Sequence, residues 1–157
     1  MIRVEWYTIE EFPIVLLEHI EEVCYRLRRI NKLAKTIHFS VGYSKNYAGG
    51  FRKSHTLNRP TNLTMDIYHI CTYFLHELYT GEPIRSINVS LANLINEGEE
   101  QISLFDNVIQ REKEMKLTKV MDEIRDKFGK NSILRGISYT NSATTRYRNT
   151  LLGGHKS

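Results

Sequence analysis

Five consecutive residues, Arg52-Lys-Ser-His-Thr56, place cationic and hydroxyl side chains side by side. Guanidinium, ammonium and hydroxyl groups are the side chains that hold phosphate oxygens. The surrounding sequence has the same bias. From Val23 to Met65 there is no Asp or Glu, while Arg26, Arg28, Arg29, Lys32, Lys35, Lys45, Arg52, Lys53 and Arg59 all fall in that stretch. A field of one sign suits a polyanion, because each phosphate neutralised releases condensed counterions. The whole-chain net charge of +4 carries much less information than this distribution. Two plainer readings account for some of the same residues. The run also fits a solvated basic face or an edge hairpin whose charges prevent strand-to-strand aggregation. Arg26, Arg28 and Arg29 also lie where the last turns of a helix are expected, and there they complement the helix dipole.

The second notable feature is Gln101-Ile-Ser-Leu-Phe105, which follows the acidic run Glu97-Gly-Glu-Glu100. Exposing Ile102, Leu104 and Phe105 together is costly unless a partner pocket receives them. Gln101 is placed to hydrogen-bond at the rim of such a pocket. The competing reading is a hydrophobic staple, in which Leu104 and Phe105 simply start the next helix.

The sequence offers little for catalysis. Metal-assisted phosphoryl transfer needs two or three converging carboxylates, and residues 36–57 and 84–95, read as strands, contain none. The chain has no P-loop, GxGxxG or GxSxG motif, so no catalytic residue and no metal site is expected. Cys24 and Cys71 sit in apolar helical patterns and read as buried free thiols. No segment has the roughly 20 apolar residues of a membrane span, and the N-terminal residues lack a secretory pattern. The expected location is cytoplasmic.

These residues are positioned by a recognisable alternation of elements. Phe12, Leu16, Ile20, Val23, Leu27 and Ile30 recur at helical spacing, predicting a helix from about residue 9 to about residue 30. Ile37, Phe39, Val41 and Tyr43 alternate with polar or small residues, predicting a strand. Turn residues from Asn46 to Gly50 join it to a second strand, Phe51 to Leu57. A loop from Arg59 to Thr64 leads to a second helix, ended by Gly81 and Pro83, and Ile84 to Ile95 is a further strand. With an opening strand at residues 2–6 the order is βαββαβ: an α+β fold with two helices on one face of the sheet and the other face open. The first strand reads as weak or cut short at Met1. A third amphipathic helix is predicted from about residue 107 to about residue 128, capped by Gly129, with a short strand from Asn131 to Arg135. The expected domains are therefore 1–95, a linker at 96–106, a helical extension at 107–138 and a mobile tail at 139–157.

Taken in order, several runs resemble the little-finger domain of Y-family translesion DNA polymerases, closest to the bacterial UmuC/ImpB/MucB-like branch of the Gram-positive UV-damage-repair type. They are Lys35 to Ser44, Phe51 to Leu57, Pro60-Thr-Asn62 and Pro83 to Leu94. Gln101 to Phe105 is similar to that family's β-sliding-clamp-binding motif, with Ile102 where Leu is commoner. The runs Met121 to Asn131 and Leu152 to Lys156 look like the family's tail. The resemblance implies a domain that lies along damaged primer-template DNA without reading sequence. It implies Lys45, Arg52, Ser54, His55 and Thr56 as DNA-facing residues, joined on charge pattern by Lys53 and Arg59. His55 stands where the family often has Arg. For Gln101, Ile102, Ser103, Leu104 and Phe105 it implies docking on the β clamp. The family's palm, with its magnesium-binding carboxylates, is not among these residues, so the chain reads as a non-catalytic C-terminal fragment whose partners include an upstream polymerase core. A free-standing clamp-binding adaptor or competitor is the alternative.

Overall fold

The structure is a computed structural model. It describes residues 2–7, 11–100 and 107–151, with residues 2–7 described as backbone. The chain forms two compact units, Met1–Gln101 and Ile102–Ser157.

The first unit follows the predicted order. A strand β1 (Ile2–Tyr7) is followed by α1 (Phe12–Arg29), β2 (Lys32–Tyr43), β3 (Gly50–Thr61), α2 (Thr64–Leu78) and β4 (Ile84–Asn96). The four strands form one antiparallel sheet in the order β1-β4-β2-β3. Helix α1 starts with Pro13 in its first turn, where a missing amide hydrogen costs nothing. It ends with Arg26, Arg28 and Arg29 against the negative end of its dipole. Asn31, at φ 52°, then turns the chain into β2, a left-handed conformation that Asn tolerates better than most residues.

Both helices pack on the same side of the sheet. Phe12, Val15, Leu16, Ile20 and Cys24 of α1 and Ile67, Cys71, Phe74 and Leu75 of α2 meet Ile37, Phe39, Val41, Leu57, Ile87 and Val89 from the strands. The core strand residues sit at alternate positions, as the period of two requires. His19 is buried among them, and its Nε2 accepts a hydrogen bond of 3.4 Å from the Val89 amide. Among the described residues β1 pairs as far as Ile87, and a side chain from α1 meets the Val89 amide beyond that pair.

The β2–β3 hairpin differs from expectation at one end. Thr36 pairs with Thr56, but Ala34 pairs with Thr61, so β3 bulges over residues 57–60 before the ladder resumes. Pro60 has no amide to donate to a ladder, and a bulge is where such a residue is tolerated. The predicted loop from Arg59 is therefore strand as far as Thr61. At the hairpin's other end Gly50 has φ 138°, and a Cβ there would lie 2.2 Å from the Val41 carbonyl oxygen. Only glycine fits this position.

The acidic run expected to be a linker is partly tied to the first unit. The Glu97 amide donates to the Asn31 carbonyl at 3.1 Å, and its carboxylate accepts from Asn62 at 2.6 Å. Asn96 donates to Glu99 from its side chain at 2.6 Å and its amide at 3.1 Å. These two bonds hold the Glu99 carboxyl below the usual carboxylate range.

The second unit is built on α3 (Val108–Phe128). Asn107 caps its start by accepting from the Gln110 amide at 3.2 Å, and Gly129, at φ 100°, follows its end. The predicted strand from Asn131 to Arg135 is absent. Ser132 instead donates to the carbonyls of Gly129 and Ile124, and the Arg125 guanidinium takes the Ile133 carbonyl at 3.1 Å. These bonds fold the segment back on α3 and occupy a carbonyl that a ladder would use. A 3₁₀ turn (Gly136–Tyr139) and the short helix α4 (Thr145–Arg148) follow.

Candidate nucleic-acid interface

The site lies on the sheet face opposite the two helices. Directly paired residues of antiparallel strands point to the same side. Rows across β3, β2 and β4 are therefore Arg52–Ser40–Asn88, Ser54–His38–Ser90 and Thr56–Thr36–Ala92. Two contacts confirm the geometry. Ser54 Oγ lies 3.0 Å from His38 Nδ1, and a Cβ on Gly42 would meet Ser86 Oγ at 2.5 Å. Arg52, Ser54, Thr56, His38 and Ser90 are exposed, and Ser40, Asn88 and Ser86 are half-buried. Thr36 is buried on the same face, where the Asn93 side chain donates to its hydroxyl at 2.8 Å.

β2, β3 and β4 contain no Asp or Glu. Across these three strands the face is a bed of hydroxyl, amide and imidazole groups with a guanidinium on its β3 edge. These groups can donate to phosphate oxygens at several points without repelling them. Among the described residues no three His, Cys, Asp or Glu side chains group to hold a metal ion.

The structure divides the residues singled out in the sequence. Arg52, Ser54 and Thr56 lie on the open face. Lys53 and His55 point to the helix side: Lys53 Nζ lies 5.6 Å from the centre of the Phe74 ring, and the His55 ring packs edge-on against Phe74 at 5.5 Å. A strand that alternates sides every residue cannot present all five. Lys45 is exposed in the turn after β2, and Arg59 sits half-buried in the β3 bulge. Gln101, Ile102, Ser103, Leu104 and Phe105 lie outside the described residues.

The α1 arginines have local partners. Arg26 pairs with Glu22 at 2.9 Å, and Arg29 bonds the Tyr25 hydroxyl at 3.1 Å. Arg28 donates to the Asn62 carbonyl at 2.9 Å and reaches Glu21 at 3.4 Å. The basic field of the sequence thus exceeds the basic surface near the site. In the other direction, the sequence reading missed His38, Ser40, Ser86, Asn88 and Ser90. Their signal was present, since His38, Ser40 and Asn88 are polar positions between the core residues Ile37, Phe39, Val41, Ile87 and Val89, and Ser86 and Ser90 flank the last two.

Cys24 and Cys71 are fully buried, and burial pushes both thiols up to about 12. They are protonated core residues rather than nucleophiles. No described helix is long and apolar enough to cross a membrane.

Comparison with known proteins agrees with this architecture. The chain is 46% identical over 149 residues to UvrX of Bacillus subtilis, a protein named for UV-damage repair, covering 94% of this chain and 35% of UvrX. It is 33% identical over 152 residues to DNA polymerase IV 2 of Halalkalibacterium halodurans, covering 96% of this chain and 36% of that protein. DNA polymerase IV 2 of Bacillus subtilis is 33% identical over 147 residues, covering 93% and 35%. The chain therefore spans about a third of the length of these relatives. Residues 3–104 match the impB/mucB/samB family C-terminal domain. The chain belongs to that family of Y-family repair polymerases, and residues 3–104 are its C-terminal domain.

Proposed function

We propose that this chain holds the phosphate backbone of primer-template DNA on the open face of its sheet and docks on the β sliding clamp through Gln101–Phe105. The observation that carries the first half is the acid-free set of rows across β2, β3 and β4: Arg52, Ser54, Thr56, His38, Ser40, Asn88 and Ser90. Contacts from such a face position a nucleic acid without reading its sequence, which suits a polymerase that must work on any damaged template. The names of the relatives, UV-damage repair protein and DNA polymerase IV, support DNA as the polyanion. Clamp docking rests on the apolar anchors Ile102, Leu104 and Phe105 beside Gln101, just after the family domain's last strand. In this reading the chain supplies grip and docking. Nucleotide addition, with its magnesium ions, belongs to a polymerase core outside these residues, with which this domain works.

Titrating a labelled duplex with the full chain tests the grip. Arg52→Ala with Ser54→Ala is expected to weaken binding by roughly tenfold or more, since hydrogen bonds to charged groups contribute about 1.5–3 kcal/mol each. Equal affinity for variant and wild type would remove the face from the account. Docking is read separately by pull-down on purified β clamp. Leu104→Ala with Phe105→Ala is expected to abolish retention, and unchanged retention would exclude the pentapeptide.

A further inference from the structure

The second unit carries a surface that neither the sheet nor the pentapeptide explains. From Lys127 to Leu151 there is no Asp or Glu, while Lys127, Lys130, Arg135, Arg146 and Arg148 fall within that stretch. Large aromatic rings stand exposed in the same stretch. Tyr139 is 55% exposed and Tyr147 is 61% exposed. The Arg146 guanidinium lies over the Tyr139 ring, 5.2 Å from its centre, and is itself exposed.

The backbone holds these groups in place. Tyr139 ends a 3₁₀ turn closed by the Ser138 amide on the Arg135 carbonyl at 2.9 Å and the Thr140 amide on the Ile137 carbonyl at 3.2 Å. Arg146 and Tyr147 lie on α4. Asn131 joins α4 to the end of α3, donating to the Arg146 carbonyl at 3.2 Å and accepting from the Asn149 side chain at 2.8 Å. The rings are thus presented by ordered backbone, which lowers the entropy lost on binding.

We infer that Tyr139, Arg146 and Tyr147 form a second nucleic-acid site, one that takes unpaired bases of a single strand. An apolar protein partner would account for the rings alone, but it would desolvate the exposed Arg146 guanidinium without a counter-charge. A duplex would account for the cations alone, because its base faces are stacked away from any side chain. A single strand accounts for both, its bases stacking on the tyrosines and its phosphates meeting the arginine.

The test uses the full chain and two labelled probes, an oligomer of about twelve deoxythymidines and a blunt duplex. The Tyr139→Ala, Arg146→Ala, Tyr147→Ala variant is expected to bind the oligomer on the order of tenfold more weakly, or worse, as loss of base stacking implies. Its duplex affinity is expected to be unchanged. Tyr139→Phe with Tyr147→Phe keeps the rings and is expected to keep oligomer binding, so loss through misfolding is recognised. Arg52→Ala is expected to weaken the duplex and leave the oligomer unaffected, which keeps this site distinct from the sheet face. Oligomer affinity unchanged in the triple variant, lost equally in the Phe variants, or lost in Arg52→Ala would each overturn the proposal. A protein found to occupy the rings while the oligomer is indifferent to them would overturn it too.

Discussion

The two faces of the first unit's sheet are made from the same strands, one residue apart, yet they have opposite chemistry. Toward the helices, Phe39, Phe51 and Ile37 fill a core, and exposed Lys53 and half-buried His55 lie at its edge against Phe74. On the other side the neighbours Ser40, Arg52, Ser54 and His38 face solvent and form a bed of donors. The period of two does the sorting. A basic run along a strand is therefore two half-runs, and only one of them can meet a given ligand. The contrast also assigns work. The helix side holds the fold together, and the open side is available for binding.

The largest effect that sharpens this contrast is on stability. Phe39→Ala removes a ring that is 1% exposed and packs edge-on against Phe51 at 5.6 Å. A loss of about 3–5 kcal/mol in denaturant unfolding is expected. Ser54→Ala on the opposite face is expected to change stability by less than about 0.5 kcal/mol. Comparable losses at the two positions would break the division of labour.

Next in size is Asn62, which is buried and donates to the Lys32 carbonyl at 3.2 Å and the Glu97 carboxylate at 2.6 Å. Asn62→Ala leaves those acceptors without their donor and is expected to cost about 1–3 kcal/mol. Duplex affinity under conditions where the variant remains folded is expected to match wild type, because this residue holds chain segments rather than ligand.

A further effect is alkaline. Cys24 and Cys71 are raised to about 12 from 9.0 chiefly by burial. The folded state therefore favours the protonated thiols. Their contribution is fully present below pH 9 and is lost as pH rises through the window from 9 to 12, because the unfolded chain ionises first. Unfolding free energy measured against pH is expected to fall over that window, and less steeply in the Cys24→Ala, Cys71→Ala variant.

Most of the fold was legible in sequence because its signals are local and periodic. The spacing of Phe12, Leu16 and Ile20 and the alternation of Ile37, Phe39 and Val41 each have one structural meaning. The strand extensions were harder to read. Leu57 to Pro60 carries a bulge that depends on how Ala34 finds Thr61 across the ladder. The false strand at Asn131–Arg135 failed for a similar reason, since Arg125 takes the Ile133 carbonyl. In sequence Arg52, Lys53 and Arg28 look alike, but the fold gives them different surroundings. Charge is visible in one dimension, whereas the side of a strand is settled by burial. The uncharged half of the site, Ser40, Ser86, Asn88 and Ser90, is polar by alternation in the sequence, and pairing β2 with β4 gathers it into one face.

The central claim is that the open face, and not the helix side, meets the phosphate backbone. The most direct measurement is the salt dependence of duplex affinity for wild type, Arg52→Glu and Lys53→Glu, whose positions are adjacent on β3. Arg52→Glu is expected to weaken binding strongly and to make the slope of log affinity against log salt shallower by about 0.9, one phosphate contact. Lys53→Glu is expected to leave the slope at its wild-type value. Equal effects at the two positions, or a larger one at Lys53, would contradict the account.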